Sequence, residues 1–201
     1  MNLFKLLGLV ILALILAVLI GIAVKSPESH LERSIVINAP PAQVYAYLND
    51  FRNFNEWSPW AALDPDTEYT FSGPFKGPGA RMSWHSTHEQ VGDGEQWITE
   101  VRQNEYVKSG MQFGDFEGKF YAEFILKPVA DGTEVTWTYH GDVSDSGLGW
   151  KMAGKVFGMF LESMLGPFYE DGLKSLKTVV EEKPLLPMDE VMPADSAEVQ
   201  P

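Results

Sequence analysis

Residues 120–141 read FYAEFILKPVADGTEVTWTYHG, and this stretch decides the fold. Side chains alternate along both halves, and one stripe consists of Phe120, Ala122, Phe124, Leu126, Val135, Trp137 and Tyr139. Such period-two alternation indicates strands that bury one face and expose the other. Asp131-Gly132 separates the two runs, and Asp-Gly is typical of an antiparallel turn. The stretch therefore predicts a β-hairpin with one buried face.

The same alternation recurs upstream, over residues 107–113 and 81–85. The corresponding stripes contain Val107, Ser109, Met111, Phe113, Met82 and Trp84. Glycine and aspartate at 92–94 and 114–115 separate these runs in the manner of antiparallel turns. Together the runs predict a meander of about six successive strands.

A different periodicity follows the last predicted strand. Apolar residues recur every three to four positions at Val156, Phe157, Phe160, Leu161, Met164, Leu165, Phe168, Leu173, Leu176, Val179 and Val180. This spacing predicts a long amphipathic helix. We expect Gly166-Pro167 to bend it, because proline removes a backbone hydrogen bond, and Lys183-Pro184 to end it.

The segment before the meander completes the domain. Leu31–Asn38 is rich in β-branched residues and predicts a first strand. Pro40-Pro41 then suits the start of a short helix, and residues 51–60 predict a second one that ends at Pro59. A sheet with one apolar face must be covered, and only the long helix is large enough. We predict an α+β fold, with a curved antiparallel sheet of about seven strands wrapped on the C-terminal helix around a cavity.

The N-terminal run Leu6–Val24 has nineteen residues without a charged side chain. A helix of that length extends about 28 Å, close to the thickness of a bilayer's hydrocarbon core. We therefore predict a single transmembrane helix that anchors the protein in a membrane. Gly21-Ile22-Ala23 leaves a cleaved signal peptide as the alternative. Lys5 precedes the run, and Lys25 and Arg33 follow it, so the charges are nearly balanced. The short N-terminus favours a domain outside the cytoplasm.

Charge and composition set the boundaries of the chain's parts. We predict an anchor at 1–25, a polar linker at 26–30, the folded domain at 31–182 and a disordered acidic tail at 183–201. The formal net charge of −13 argues against nucleic-acid binding, which needs clustered lysine and arginine. The absence of cysteine excludes disulfide scaffolds, thiolate metal sites and cysteine nucleophiles.

Several local strings, in this order of elements, resemble one known superfamily. They are SIVINAPPAQVYAYLNDFRNFNEWSPW (34–60), SGPFKGPGARMSW (72–84), DGTEVTW (131–137) and MLGPFYEDGLKSLKTVVE (164–181). They resemble the SRPBCC superfamily of START-related helix-grip proteins, and within it the bacterial polyketide cyclase/dehydrase and lipid-transport-like branch. The resemblance implies a helix-grip fold and ligand binding in general, but it implies no particular reaction, because this fold hosts transport, sensing and enzymes.

The candidate site is the gap between the sheet and the long helix. Eleven aromatic and methionine residues are predicted to line it: Met82, Trp84, Met111, Phe113, Phe120, Phe124, Trp137, Tyr139, Phe157, Phe160 and Met164. Flexible methionines suit a variable apolar ligand. His85 and His88 are three residues apart on a predicted strand and so point to opposite faces. We therefore predict neither a metal nor another cofactor.

Three functions remain open at this point. The first is a membrane-anchored module that binds a hydrophobic, lipid-like small molecule. The second is a cyclase or hydrolase that uses the same cavity, for which Tyr139, Tyr169 and Glu162 are the candidate titratable groups. The third is a tethered domain that binds a protein partner, which the sequence does not identify.

Overall fold

The computed structural model describes residues 3–183 of the chain. Its helices are α1 (Leu3–Ala23), α2 (Pro41–Leu48), a 3₁₀ helix (Phe51–Glu56), α3 (Pro59–Leu63) and α4 (Leu148–Glu182). Its strands are β1 (Glu28–Ile37), β2 (Glu68–Ser72), β3 (Arg81–His85), β4 (Gly94–Arg102), β5 (Tyr106–Phe113), β6 (Lys119–Val129) and β7 (Gly132–Asp142). This is the predicted α+β architecture. The predicted acidic tail lies outside the described residues, apart from Lys183.

The strands form one antiparallel sheet in the order β1-β7-β6-β5-β4-β3-β2. β2 to β7 follow one another as a meander, which confirms the predicted succession of six strands. β1 joins the sheet by pairing with β7, the last strand in the chain, along a register that extends from Glu28 opposite Asp142. This pairing begins β1 three residues before Leu31, where the sequence pattern placed its start. The last three residues of the predicted linker 26–30 therefore belong to the strand.

Short helical turns connect β1 to β2. Pro41 occupies the first turn of α2, where the missing backbone N–H has no helical partner to lose. The prediction that a helix over residues 51–60 ends at Pro59 was wrong. Pro59 begins α3 instead, and the backbone N–H of Ala61 donates to the Ser58 side chain at 3.5 Å. The fixed φ of proline suits the first turn of a helix, so the same residue that stops one helix can start another.

Helix α4 covers the inner face of the sheet. Leu161, Leu173, Leu176 and Val180 are each at most 3% exposed on its inward side. The helix has 35 residues, continues through Pro167 and ends at Glu182 as predicted, but it begins eight residues before Val156. Full burial of a large aliphatic side chain stabilises a fold by about 1.5–3 kcal/mol. The inward face of α4 is therefore a main source of the domain's stability.

The glycine-rich connection between β2 and β3 contains three residues in the left-handed region of backbone space. Gly73, Gly77 and Gly79 have φ angles of 76°, 78° and 90°, a conformation that other residues rarely adopt. A side chain at Gly73 would also collide with the backbone carbonyl of Gly79. These glycines permit the tight turn that connects β2 to β3.

Helix α1 lies outside the domain. It is 21 residues long, and none of its residues is buried by the described part of the chain. By length and composition it can cross a membrane. Its last residue, Ala23, accepts a hydrogen bond from Lys155 Nζ of α4 at 2.7 Å, so the apolar helix meets the domain beside α4.

Candidate ligand-binding site

A cavity of about 390 Å³ lies between the inner face of the sheet and α4. Its volume falls within the range of about 300–1,000 Å³ that small-molecule sites occupy. Nine of the predicted residues line it: Met82, Trp84, Met111, Phe113, Phe120, Phe124, Trp137, Tyr139 and Phe157. The period-two alternation of β3, β5, β6 and β7 places their alternate side chains on this wall. The big aromatic side chains of the inner stripes thus leave space between them.

Phe160 and Met164 do not line the cavity, although the sequence pattern placed them there. They are 52% and 53% exposed on the outward side of α4. Phe157, Leu161 and Leu165 take the inward positions of the same turns. The prediction was wrong because the first half of α4 is apolar on both faces, so helical periodicity alone does not identify the inward one.

Part of the wall comes from a segment that the prediction did not include. Phe51, Phe54, Trp57 and Trp60 extend from the 3₁₀ helix and α3 and close the cavity on the side of α2. The signal available in the sequence was the density of aromatics in FRNFNEWSPW. These four residues recur at every third position, which suits a 3₁₀ helix, but the spacing alone does not show which part of the fold such a face packs against.

Trp137 is the centre of an aromatic cluster beside the cavity. Its ring stacks on Tyr169 with centroids 3.9 Å apart and on Phe124 at 5.1 Å. Trp57 and Trp60 meet it edge-on, with centroids 5.4 Å and 6.0 Å from that of Trp137. Each such pair contributes about 0.5–1.5 kcal/mol beyond the burial of its area. The cluster therefore gives the cavity a rigid wall.

Few polar atoms occur on this wall. Among the described lining residues only Asp50 carries a charge, and its carboxylate is paired with Arg52 at 3.4 Å. The Nε1 atoms of Trp57 and Trp137 are buried and find no hydrogen-bond partner among the described residues. An unpaired buried donor costs about 1–3 kcal/mol. Both atoms are closed off even to a water molecule, so these indoles carry unsatisfied donors inside the packed wall.

Two buried tyrosines lie on the same wall, which also includes the buried polar residues Ser58, Gln96 and Ser109. Burial raises the pKa of Tyr139 to about 12, although a hydrogen bond with Ser29 opposes the shift. Burial also raises the pKa of Tyr169 well above its ordinary value, and the neighbouring Tyr139 adds to this. Both phenols therefore stay protonated at neutral pH. They can donate a hydrogen bond or a proton, but they do not act as bases there.

Glu162, the third candidate for acid–base chemistry, does not reach the cavity. Its carboxylate is exposed and accepts a hydrogen bond from Arg33 at 2.6 Å on the outside of α4. His85 is likewise exposed, and its Nδ1 lies 2.7 Å from Asp93. Within residues 3–183, no group of three or more histidine and carboxylate side chains is arranged to hold a metal ion.

The fold and the cavity define the class of this protein. A curved antiparallel sheet wrapped on a long C-terminal helix, with two short helical turns after the first strand, is the helix-grip architecture of the SRPBCC superfamily. Residues 28–181 match the family model described as polyketide cyclase/dehydrase and lipid transport. The chain belongs to this family, and its domain is a ligand-binding domain of the SRPBCC type.

Solved structures with the same fold share little sequence with this chain. A solution structure from Thermobifida fusca has 22% identity and a TM-score of 0.56 over 75% of this chain and 92% of its own. Norcoclaurine synthase of Thalictrum flavum, solved with a transition-state analogue, has 9% identity and a TM-score of 0.58 over 77% and 95%.

The di-domain ARO/CYC protein StfQ of the steffimycin pathway has 12% identity and a TM-score of 0.55, over 78% of this chain and 51% of its own. No curated protein matches the sequence. At these identities the similarities establish the fold and not an activity.

Proposed function

We propose that this protein is a membrane-anchored module that binds a hydrophobic, lipid-like small molecule in the cavity between its sheet and α4. The observation that carries the proposal is the cavity itself, about 390 Å³ in volume and lined almost entirely by apolar and aromatic side chains. Burying an apolar ligand there gains about 25 cal/mol per Å² of area removed from water. A wall with a single charged residue, already paired, favours a ligand without a net charge inside the cavity.

The two indole donors narrow the chemistry of the ligand. Trp57 and Trp137 each offer a buried Nε1–H without a partner in the described chain. Both atoms are closed to water in this structure, so a ligand with a carbonyl, ester or hydroxyl oxygen on an apolar body would accept one of these hydrogen bonds where the wall moves to admit it. A net gain of about 0.5–1.5 kcal/mol per bond is typical. We therefore propose a ligand with an apolar body and at least one acceptor oxygen, as lipids have.

Helix α1 supports the membrane anchor in this proposal. None of its described residues is buried, although it is the most apolar part of the chain. An exposed apolar helix of this length is stable in a bilayer and unfavourable in water. A signal sequence near the N-terminus has the same properties, so the alternative is a domain that is released after cleavage. The proposed anchor keeps the cavity close to a source of lipid, which raises the effective concentration of ligand.

A second candidate function is an enzyme of the cyclase type. The observation that favours it is Tyr139, which is 5% exposed, lines the cavity and is hydrogen-bonded to Ser29. A buried phenol that stays protonated can act as a general acid toward a bound carbonyl. The described cavity wall offers Asp50 as its only carboxylate, and Asp50 is paired with Arg52. Binding without catalysis therefore has the stronger support.

The test compares the full-length protein with two variants in which alanine is replaced by phenylalanine at different positions. Ala122 is 5% exposed and lines the cavity, so Ala122→Phe fills part of the space. Ala62 is exposed in α3, so Ala62→Phe is the matched control. Each protein is purified from membranes in the same mild detergent, and the molecules that it retains are extracted and quantified by mass spectrometry.

We expect the original protein and the Ala62→Phe variant to retain one class of molecule at about one molecule per chain. We expect the Ala122→Phe variant to lose this molecule. Circular dichroism checks that both variants fold. Identical extracts from all three folded proteins would contradict the proposal, because bilayer lipids that merely surround α1 do not depend on Ala122. Recovery of a chemically altered molecule would favour the enzyme instead.

A further inference from the structure

The outward face of α4 changes character along the helix. Five large apolar side chains on this face are exposed before Pro167: Leu148 (78%), Val156 (36%), Met159 (48%), Phe160 (52%) and Met164 (53%). Their spacing of 8, 3, 1 and 4 residues keeps them on one side of a helix. We call these five residues the α4 stripe. Contiguous exposed apolar surface of this kind is typical of an interaction site.

The same side of α4 is polar after Pro167. Glu170, Asp171, Lys174 and Thr178 are exposed there, and Lys174 Nζ pairs with Asp171 at 2.9 Å. One helix therefore presents an apolar outer face in its first half and a charged outer face in its second. In a domain free in solution, water would surround the outer face of both halves equally. The contrast therefore indicates that the two halves of α4 contact different environments.

The apolar half of α4 is the half that meets the apolar N-terminal helix. Lys155 Nζ donates to the carbonyl of Ala23, the last residue of α1, at 2.7 Å. Each residue of the α4 stripe is within nine positions of Lys155, which is about 14 Å along a helix axis. The point where α1 leaves a bilayer therefore lies beside the α4 stripe.

The residues that flank the α4 stripe fit a lipid surface as well. Lys151 and Lys155 are one turn apart on one side of the helix. Between Leu148 and Met164 the only acid is Glu162, which is paired with Arg33. In a chain with a formal net charge of −13, this segment is locally basic. Apolar side chains beside lysines are the composition of helices that lie in the headgroup region of anionic membranes.

From these observations we infer that the α4 stripe lies in the interfacial layer of the bilayer that α1 spans. The inference rests on the anchoring role of α1 in the proposed function. Gly154 and Phe157 line the cavity from the opposite side of the same turns. Because a helix with its side chains is about 10–12 Å across, docking of the stripe holds the cavity within one helix diameter of the lipid.

The experiment uses the absence of cysteine from the chain. Single cysteines are introduced into the full-length protein as Phe160→Cys in the α4 stripe, Lys174→Cys in the charged half of the same helix and Leu12→Cys in α1. All three positions are exposed, so no core contact is lost. Each is labelled with a nitroxide and placed in vesicles of phosphatidylcholine and phosphatidylglycerol. Electron paramagnetic resonance then compares collisions with oxygen, which is concentrated in lipid, and with a water-soluble nickel chelate.

We expect the oxygen-to-nickel collision ratio to be several-fold higher at 160 and at 12 than at 174. A ratio at 160 equal to that at 174, with 12 still in lipid, overturns the inference and leaves the anchor intact. A water-like ratio at 12 refutes the anchor itself. A label at 160 that is shielded from both reagents and shows spin–spin broadening between chains means that a second copy covers the stripe, and this also overturns the inference.

Discussion

The approach of α4 to the aromatic cluster leads to a quantitative prediction about two glycines. Gly172 is buried where α4 crosses Trp137, and a Cβ atom there would lie 2.8 Å from Trp137 Cζ3 and 3.1 Å from Pro59 Cδ. Gly158 lies in the same helix, where the nearest atom to a Cβ would be Ser29 Cβ at 3.5 Å, an ordinary contact distance. The same Gly→Ala change is therefore crowded at one position and accommodated at the other.

Two opposing free energies determine the outcome. Alanine in place of a helical glycine stabilises the folded state by about 1 kcal/mol. Overpacking a filled site costs about 1–3 kcal/mol, and the Trp137 ring cannot easily yield, because Tyr169 stacks on it at 3.9 Å. We expect Gly158→Ala to raise the free energy of unfolding by up to about 1 kcal/mol. We expect Gly172→Ala to lower it by about 0–2 kcal/mol, the difference of the two effects.

The assay is thermal unfolding of the full-length protein in one detergent, followed by tryptophan fluorescence. All six tryptophans lie in the domain and none in α1, so the signal reports the domain alone. A change of 1 kcal/mol shifts the Tm of a domain of this size by about 2–4 °C. The two variants should therefore differ by about 2–12 °C, with Gly158→Ala the more stable. Equal stabilisation by both substitutions would refute the reasoning, since Trp137 would then be free to move away from α4.

Two further predictions concern the cavity wall. Burial raises the pKa of Tyr139 to about 12 and raises that of Tyr169 and, outside the cavity wall, of Tyr106, so the folded state loses stability as the pH rises above about 10, where unfolded tyrosines ionise. Absorbance at alkaline pH should show that these three phenols ionise at a higher pH than free tyrosine, and ordinary titration of all tyrosines would contradict this. Trp57→Phe removes an unpartnered Nε1–H and also leaves a gap in the packed wall, since Trp57 is 2% exposed. We expect it to lower the Tm and to reduce ligand retention up to about tenfold, whereas Trp97→Phe, outside the cavity wall, should leave retention unchanged; equal retention by both variants would show that the indole makes no hydrogen bond to the ligand.

The position of the cavity relative to the α4 stripe is the feature of this structure that bears most on function. The wall that holds the proposed ligand and the α4 stripe proposed to touch lipid are opposite faces of one helix, since Phe157 points inward and Phe160 outward. The two faces are therefore separated by the width of a single helix. This arrangement suits a protein that takes an apolar molecule from a membrane without passing it through water.

The sequence by itself determined the parts of the fold that depend on local periodicity. Alternation along β6 and β7 identified both strands and the inward side of each, because side chains in a strand point to opposite faces with a period of two. The apolar run Leu6–Val24 likewise identified a helix able to span a membrane. Eight of the nine predicted residues that line the cavity followed from the alternation, because they lie on strands whose inward face it marks.

Only the tertiary structure decided which segments meet. β1 pairs with β7, about a hundred residues away in the chain, and no local pattern records a partner strand. The inward face of the first half of α4 could not be predicted for the same reason. Apolar residues occur on both faces of this part of the helix, and only packing places Phe157 inward and Phe160 outward. Trp57 lies between the 3₁₀ helix and α3. Its side chain reaches the cavity because it packs against the distant residues Phe124 and Trp137. Contacts of this kind belong to the folded chain as a whole, which is why local spacing does not predict them.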